Sequence, residues 1–258
     1  MAKRNILILT ILISAALTGI LLNVSTGVEK SSTGMVTYVD GTLKKKLLDA
    51  AEWIVAAKDT TVVSGDKFRT LHNSRAELEL KELDILRLAP GTTIDIVKLY
   101  EETKELKDQT KIDVEEGDIW AMVGGVNENA SFDLFTPVAG VAITGTVFRI
   151  SVDEDSTTEL KVYKGEVLIT NAPENKNLQP QSLPVKQPQK ISGTKQISGP
   201  RQITLEEWRY IVGNMEAVKI NRYGEVISSG KFSKDDQDEE SDWVKWNLER
   251  DALMMKKD

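Results

Sequence analysis

The chain holds one imidazole, His72, set in Thr70-Leu71-His72-Asn73-Ser74. Any serine–histidine–aspartate relay would have to run through it, and no Gly-x-Ser-x-Gly elbow accompanies it. A histidine-based zinc site lacks partners. Cysteine is absent, which removes thiolate nucleophiles, disulfides and zinc sites of the cysteine type. A turn at the surface is the expected place for His72.

Carboxylates are the next candidates. Asp153-Glu154-Asp155 lies between two strand-like segments, and Asp235-Asp236-Gln237-Asp238-Glu239-Glu240 lies near the C-terminus. Neither fits the Asp-x-Asp-x-Asp-Gly calcium loop with its distal glutamate. A sugar-cleaving pair needs a cleft and a set separation, and nothing in the sequence supplies them. The first cluster reads as a solvated turn and the second as a solubilising run. Gly124-Gly125, Gly140 and Gly145 lack the Lys-Ser/Thr ending and the dinucleotide spacing of phosphate loops. In a β context such glycines mark bulges or close backbone approach. Arg75 and Arg87 are expected on the solvent side of strands or tied to turn carbonyls. No catalytic, cofactor or metal residue emerges, binding residues stay unassigned, and the expectation is a protein that is not an enzyme.

The elements that would position such groups are mostly strands. Ala76, Leu78 and Leu80 alternate with Glu77, Glu79 and Lys81; Leu86 and Leu88 flank Arg87; Ile94 and Ile96 flank Asp95. Ile112 and Val114 flank Asp113, and Phe132 and Leu134 flank Asp133. This period of two predicts a sheet with one apolar face and one wet, charged face. Turn phrases recur between the runs: Ser64-Gly65-Asp66, Pro90-Gly91, Glu116-Gly117-Asp118, Gly124-Gly125 and Lys164-Gly165. The pattern predicts a sandwich, barrel or irregular β-roll. Met35 to Asp40 reads as a strand entering an Asp-Gly hairpin turn at Gly41. Residues 42–57 fit a helix or a return strand equally.

The ends differ in character. Lys3 and Arg4 precede an uncharged run, Asn5 to Val28, whose apolar part spans Ile6 to Leu22. A spanning helix needs roughly 17 residues or more, so residues 1–28 read as a membrane anchor, or else a signal segment removed after export. The positive-inside rule places the remainder outside the cytoplasmic membrane. Residues 172–203 carry five of the seven prolines and read as a linker or strap. Within residues 204–230, Thr204-Leu205-Glu206-Glu207 is a capping box. Leu205, Trp208, Ile211, Val212 and Met215 then share one face of a predicted helix, followed by a hairpin at Tyr223-Gly224. That extension is too small to stand alone and should pack back on the β domain. Residues 231–258 predict a charged loop and a short exposed helix bearing Trp243, Trp246 and Leu248, docking loosely or awaiting a partner. A net charge of −7 without a basic, aromatic-interleaved face excludes nucleic acid as partner.

The ordered phrases Gly65-Asp66 with Arg69-Thr70, Ser74-Arg75-Ala76-Glu77-Leu78, Leu86-Arg87-Leu88-Ala89-Pro90, Gly117-Asp118-Ile119-Trp120, Thr136-Pro137, Gly145-Thr146-Val147-Phe148 and Lys164-Gly165-Glu166-Val167 resemble the FecR domain of bacterial envelopes. The resemblance covers roughly residues 34–171. It implies an all-β extracytoplasmic domain used for protein contact and ligand sensing. One departure is Thr144, where the family often has arginine. Another is that four residues ahead of the apolar run leave no room for the cytoplasmic sigma-binding domain of the iron-citrate type. The resulting expectation is a mainly β, FecR-type sandwich or roll with an N-terminal transmembrane or signal helix and a small helix-plus-hairpin extension. It would lie in the cell envelope, on the periplasmic side, held to the inner membrane or secreted. Its expected role is a scaffold or binding module for another envelope protein or a glycan. A signalling subunit is the alternative, and a carbohydrate-active enzyme the third reading.

Overall fold

The computed structural model describes residues 33–80, 84–102, 108–124, 130–171 and 208–254. The anchor or signal segment, the proline-rich strap and Thr204 to Glu207 lie outside the described residues. Alternating apolar residues dominate what is described, and the result is mainly β. Fifteen strands join in one hydrogen-bonded sheet that is not closed. Its order runs from Val226–Lys231 (β15) to Thr61–Val62 (β4), and these two do not pair.

Three long strands organise this sheet: β9 (Asp108–Met122), β11 (Gly140–Val152) and β12 (Thr158–Thr170). The first half of β9 pairs with β8 (Thr93–Glu102) and, in parallel, with β10 (Ala130–Phe135). Its second half pairs with β7 (Ile85–Leu88) and β11. The changeover falls at Gly117, whose φ is +99° and where a Cβ would lie 2.5 Å from Thr92. Both the left-handed backbone and the close approach require glycine. β11 and β12 change partners together, at a register shift between Thr144 and Val147.

The long strands therefore belong to two half-sheets. One runs β4, β1 (Gly34–Asp40), β6 (Arg75–Glu79), β7, β9, β11, β12, β14 (Glu216–Ile220) and β15. The other runs β3 (Ile54–Ala56), β2 (Leu43–Lys46), β5 (Lys67–Thr70), β8, β9, β10, β11, β12 and β13 (Arg209–Val212). Their inner residues form one apolar cluster. Leu78, Leu88, Ile119, Phe148 and Leu160 come from the first half, and Phe68, Ile94, Ile112, Leu134 and Val141 from the second. Burial of each such side chain contributes about 1.5–3 kcal/mol, and this cluster sets which face of every strand points inward.

The recurrent turn phrases close the loops between these strands. Val63 N donates to Asp66 Oδ2 at 2.8 Å, and Lys45 Nζ meets the same oxygen at 2.7 Å with both side chains buried. Thr92 N donates to Thr70 Oγ1 at 3.0 Å, and that hydroxyl donates to the Ala89 carbonyl. Ala139 N donates to Thr136 Oγ1 at 3.0 Å.

Several sequence expectations are corrected. The Asp-Gly turn does not close a hairpin. β1 pairs with β4 and β6, and β2 pairs with β3 and β5. At this corner Thr42 N donates to Ser74 Oγ at 2.8 Å, which turns the chain away from its own strand. Residues 42–57 resolve to strands, not a helix. The helix expected through Trp208, Ile211 and Val212 is replaced by β13, paired with β12 from Val167 to Thr170. Its side chains had helical spacing, but the β-branched Ile211 and Val212 fit a ladder better. Trp208 N also donates to Asn171 Oδ1 at 3.0 Å, which fixes the strand's start. The β14–β15 hairpin forms as its sequence predicts and adds to β12.

Candidate functional site

Five strands of the first half-sheet each carry a charged or aromatic residue set between two apolar ones. Glu77 lies between Ala76 and Leu78, Arg87 between Leu86 and Leu88, and Trp120 between Ile119 and Ala121. Arg149 lies between Phe148 and Ile150, and Lys161 between Leu160 and Val162. With their neighbours fixed inward, all five must point to the outer face. The register aligns them: Tyr38 pairs with Glu77, Glu77 with Arg87, Arg87 with Trp120, Trp120 with Arg149, and Arg149 with Lys161. A charged and aromatic row thus crosses six strands.

A wet face was expected here, but the row is covered. Residues 232–241 carry the chain from β15 to a helix, α1 (Asp242–Met254), which lies on the row. Among the described residues it is the only helix. Asp251 accepts from Arg87 Nη1 at 2.6 Å and from Trp120 Nε1 at 2.9 Å. Arg250 Nη2 donates to Glu77 Oε1 at 2.7 Å, while Arg87 Nε donates to Glu77 Oε2 at 2.7 Å. Trp243 Nε1 donates to Asp118 Oδ1 at 3.0 Å, and Arg149 Nε donates to Asp118 Oδ2 at 2.8 Å. Before the helix, Asp238 accepts from Arg149 Nη1 and Lys161 Nζ, each at 2.7 Å. Glu239 accepts from Lys161 Nζ and from the Tyr163 hydroxyl, each at 2.9 Å.

The aromatic contacts run along the same line. Trp120 and Tyr163 have centroids 4.3 Å apart, Trp243 stacks on Trp246 at 5.5 Å, and the Arg250 guanidinium lies 4.8 Å from the Tyr38 ring. Apolar contact is sparse by comparison: Val244 is the fully buried hydrophobic residue of α1, meeting Trp120 and Val147. The polar surroundings of this contact bias the protonation of its ionisable groups. Burial alone would raise the Glu77 carboxyl, but hydrogen bonds from Arg250 and Arg87 outweigh it and hold it below its ordinary range. Burial disfavours the charged form of Lys161, yet Asp238 and Glu239 hold its ammonium on above the usual lysine range. Burial, then the charge of Glu239, push the Tyr163 phenol well above its ordinary value.

Four expectations about these residues change. Arg87 is not on a wet surface; it is 0% exposed. Arg75 is half-buried, its guanidinium 5.2 Å from the Trp246 ring. Asp238 and Glu239 are not solubilising, since both close ion pairs on β11 and β12. The tail docks through buried Asn247 and Asp251 instead of lying loose. His72 and Asp153 to Asp155 do lie exposed in turns, as expected. Gly124, Thr144 and Gly145 border a cavity of about 140 Å³ with Asp84 and Tyr100. There Gly124 N donates to Asp84 Oδ1 at 2.7 Å and the Tyr100 hydroxyl to Asp84 Oδ2 at 2.9 Å. Among the described residues no cluster of acidic and histidine groups is placed to hold a metal ion. None of their helices is long and apolar enough to cross a membrane.

Residues 66–168 match the family model described as FecR protein. The chain carries a FecR domain. Glu77, Arg87, Trp120, Arg149 and Lys161 all fall inside the FecR match, whereas the segment covering them falls outside it. Two crystal structures of a candidate anti-sigma factor from Parabacteroides distasonis ATCC 8503 are similar, at 15% identity with TM-scores of 0.42 and 0.43. Each comparison covers 64% of this chain, and the chain spans 59% of the length of that protein. No curated protein matches the chain.

Proposed function

We propose that this FecR-domain protein is a non-enzymatic binding module serving signalling in the bacterial envelope. The observation that carries this reading is the charged row itself. Its charged members are consumed in pairs, with one another or with the segment above them: Glu77 with Arg87 and Arg250, Asp251 with Arg87, and Glu239 with Lys161. Groups held in this way define a recognition surface, whereas a general acid or base needs a proton to exchange with substrate. FecR membership favours a signalling context for that surface. A protein partner fits a row that crosses six strands better than a small molecule does, since small ligands occupy compact, largely apolar pockets. The uncharged run from Asn5 to Val28 would hold the domain at the cytoplasmic membrane, on the periplasmic side.

Crosslinking of the intact protein in its native envelope, followed by mass spectrometry, tests the reading. The expected result is a reproducible protein partner crosslinked through the FecR domain, with peptides from residues 1–28 retained. Failure to capture any stable partner counts against a binding module. A mature N-terminus near Val28 removes the membrane-held signalling form.

A further inference from the structure

We infer that the row beneath α1 is a docking groove for an acidic, tryptophan-bearing helix of a partner protein, and that residues 238–254 are its resident occupant in cis. The inference rests on the binding-module reading and names the chemistry of the partner.

Two independent observations carry it. The first is complementarity. The sheet offers Arg87, Arg149 and Lys161, and the segment answers with Asp251, Asp238 and Glu239 at 2.6–2.9 Å. Trp243 meets Asp118, and Trp246 lies 5.6 Å from the ring of Tyr38. An occupant of this groove must therefore carry two adjacent acids, then an aromatic donor in the first turn of a helix, then a further acid about two turns on. Because the contact is polar with one buried valine, its formation exchanges hydrated charges for paired ones. Such exchange contributes specificity more reliably than net affinity. A cis occupant held in this way can be displaced by a better one.

The second observation is how the segment is hung. Phe232 is the last residue tied to the sheet backbone to backbone, its N donating to the Met215 carbonyl at 3.1 Å. Ser233 to Gln237 are exposed, and their hydrogen bonds are local: Ser233 N to Asp236 Oδ2, Asp235 N to Ser233 Oγ, and Asp236 N to the Ser233 carbonyl. Residues 238–254 can thus lift as a unit without breaking a strand pairing. A segment whose opening leaves the core intact belongs to the low-stability end of a fold.

The test uses the full chain and a fluorescent peptide with the sequence of residues 238–254. Peptide binding is read by polarisation against the wild-type protein and against Asp251→Asn, which weakens the cis occupant and leaves the groove unchanged. Since a site occluded in cis loses apparent affinity by its closed fraction, the variant should bind the peptide about tenfold more tightly than wild type. A peptide of shuffled sequence should not bind. Amide exchange of the wild-type protein supplies a readout that needs no variant. Amides of α1 should exchange by local opening, ahead of those in β11 and β12. Uptake by neither protein, or α1 amides that exchange only together with the sheet, overturns the inference. A partner crosslinked in cells alongside that failure would leave the binding module standing, with its contact on another face.

Discussion

Arg87 and Asp251 are 164 residues apart in the chain and 2.6 Å apart in the fold. One belongs to a central strand of the FecR domain and the other to a helix outside the family match. Between them they join two parts of the molecule whose sequences give no hint of each other. Arg87 also holds Glu77, so a single guanidinium bridges the strand beside it and the helix above it.

Arg87→Met follows directly. Removal of the guanidinium leaves Glu77 and Asp251 buried without their shared cation, and breaking a buried pair in this manner costs about 3–5 kcal/mol. The expected result is a lower denaturation midpoint in urea, with an unchanged slope. Full stability in the variant would show that α1 shields these carboxylates less than its geometry indicates.

Alkaline pH should weaken the docked segment. The folded state holds the Lys161 and Tyr163 protons more tightly than the ordinary values of 10.5 and 10.0. The unfolded chain therefore releases them first as pH rises. The contribution is whole below about pH 10 and is lost progressively above it. Denaturant midpoints across this range should fall with pH, and Tyr163→Phe should flatten part of the decline.

A pair of glycine substitutions separates backbone strain from collision. Gly117 and Gly91 both have positive φ, +99° and +71°, but a Cβ at Gly91 meets nothing within 4 Å. Gly91→Ala should cost about 1–2 kcal/mol for the left-handed backbone alone. Gly117→Ala adds a collision with Thr92, for a further penalty of about 1–3 kcal/mol. Equal melting temperatures for the two variants would contradict the close approach of β9 to Thr92.

Lys45→Met tests the buried pair at the other corner. Asp66 is 1% exposed and would lose its cation while still accepting from Val63 N. A loss of about 3–5 kcal/mol is expected by the same reasoning as for Arg87. Calorimetry should show the drop, and a second change, Asp66→Asn, should recover part of it by removing the stranded charge.

The strands themselves were legible because alternation is a local property. Ala76-Glu77-Leu78 and Leu86-Arg87-Leu88 announce their inward and outward faces within three residues. The turn phrases were legible for the same reason: Gly65-Asp66 and Thr136-Pro137 close their loops with side chains a few positions away. What local reading could not supply was register. The flanking apolar pairs mark Arg87, Trp120, Arg149 and Lys161 as outward, but only long-range pairing sets them in one row. The face therefore looked wet, and the tail looked solvated. Residues 209–212 failed for a related reason, since Val212 satisfies helical spacing and a strand's inward position alike, while Ile211 is left exposed. A long-range ladder with Val167 to Thr170 decided between them.

Because each strand contributes one member, the row exists only when β6, β7, β9, β11 and β12 are all correctly aligned. A slip of one residue in any of them turns its charged member into the core and an apolar residue outward. The helix would then close over a gap. The fit of α1 is accordingly a single readout of four strand registers at once, and a slip in any of them is felt as a lost contact under the helix.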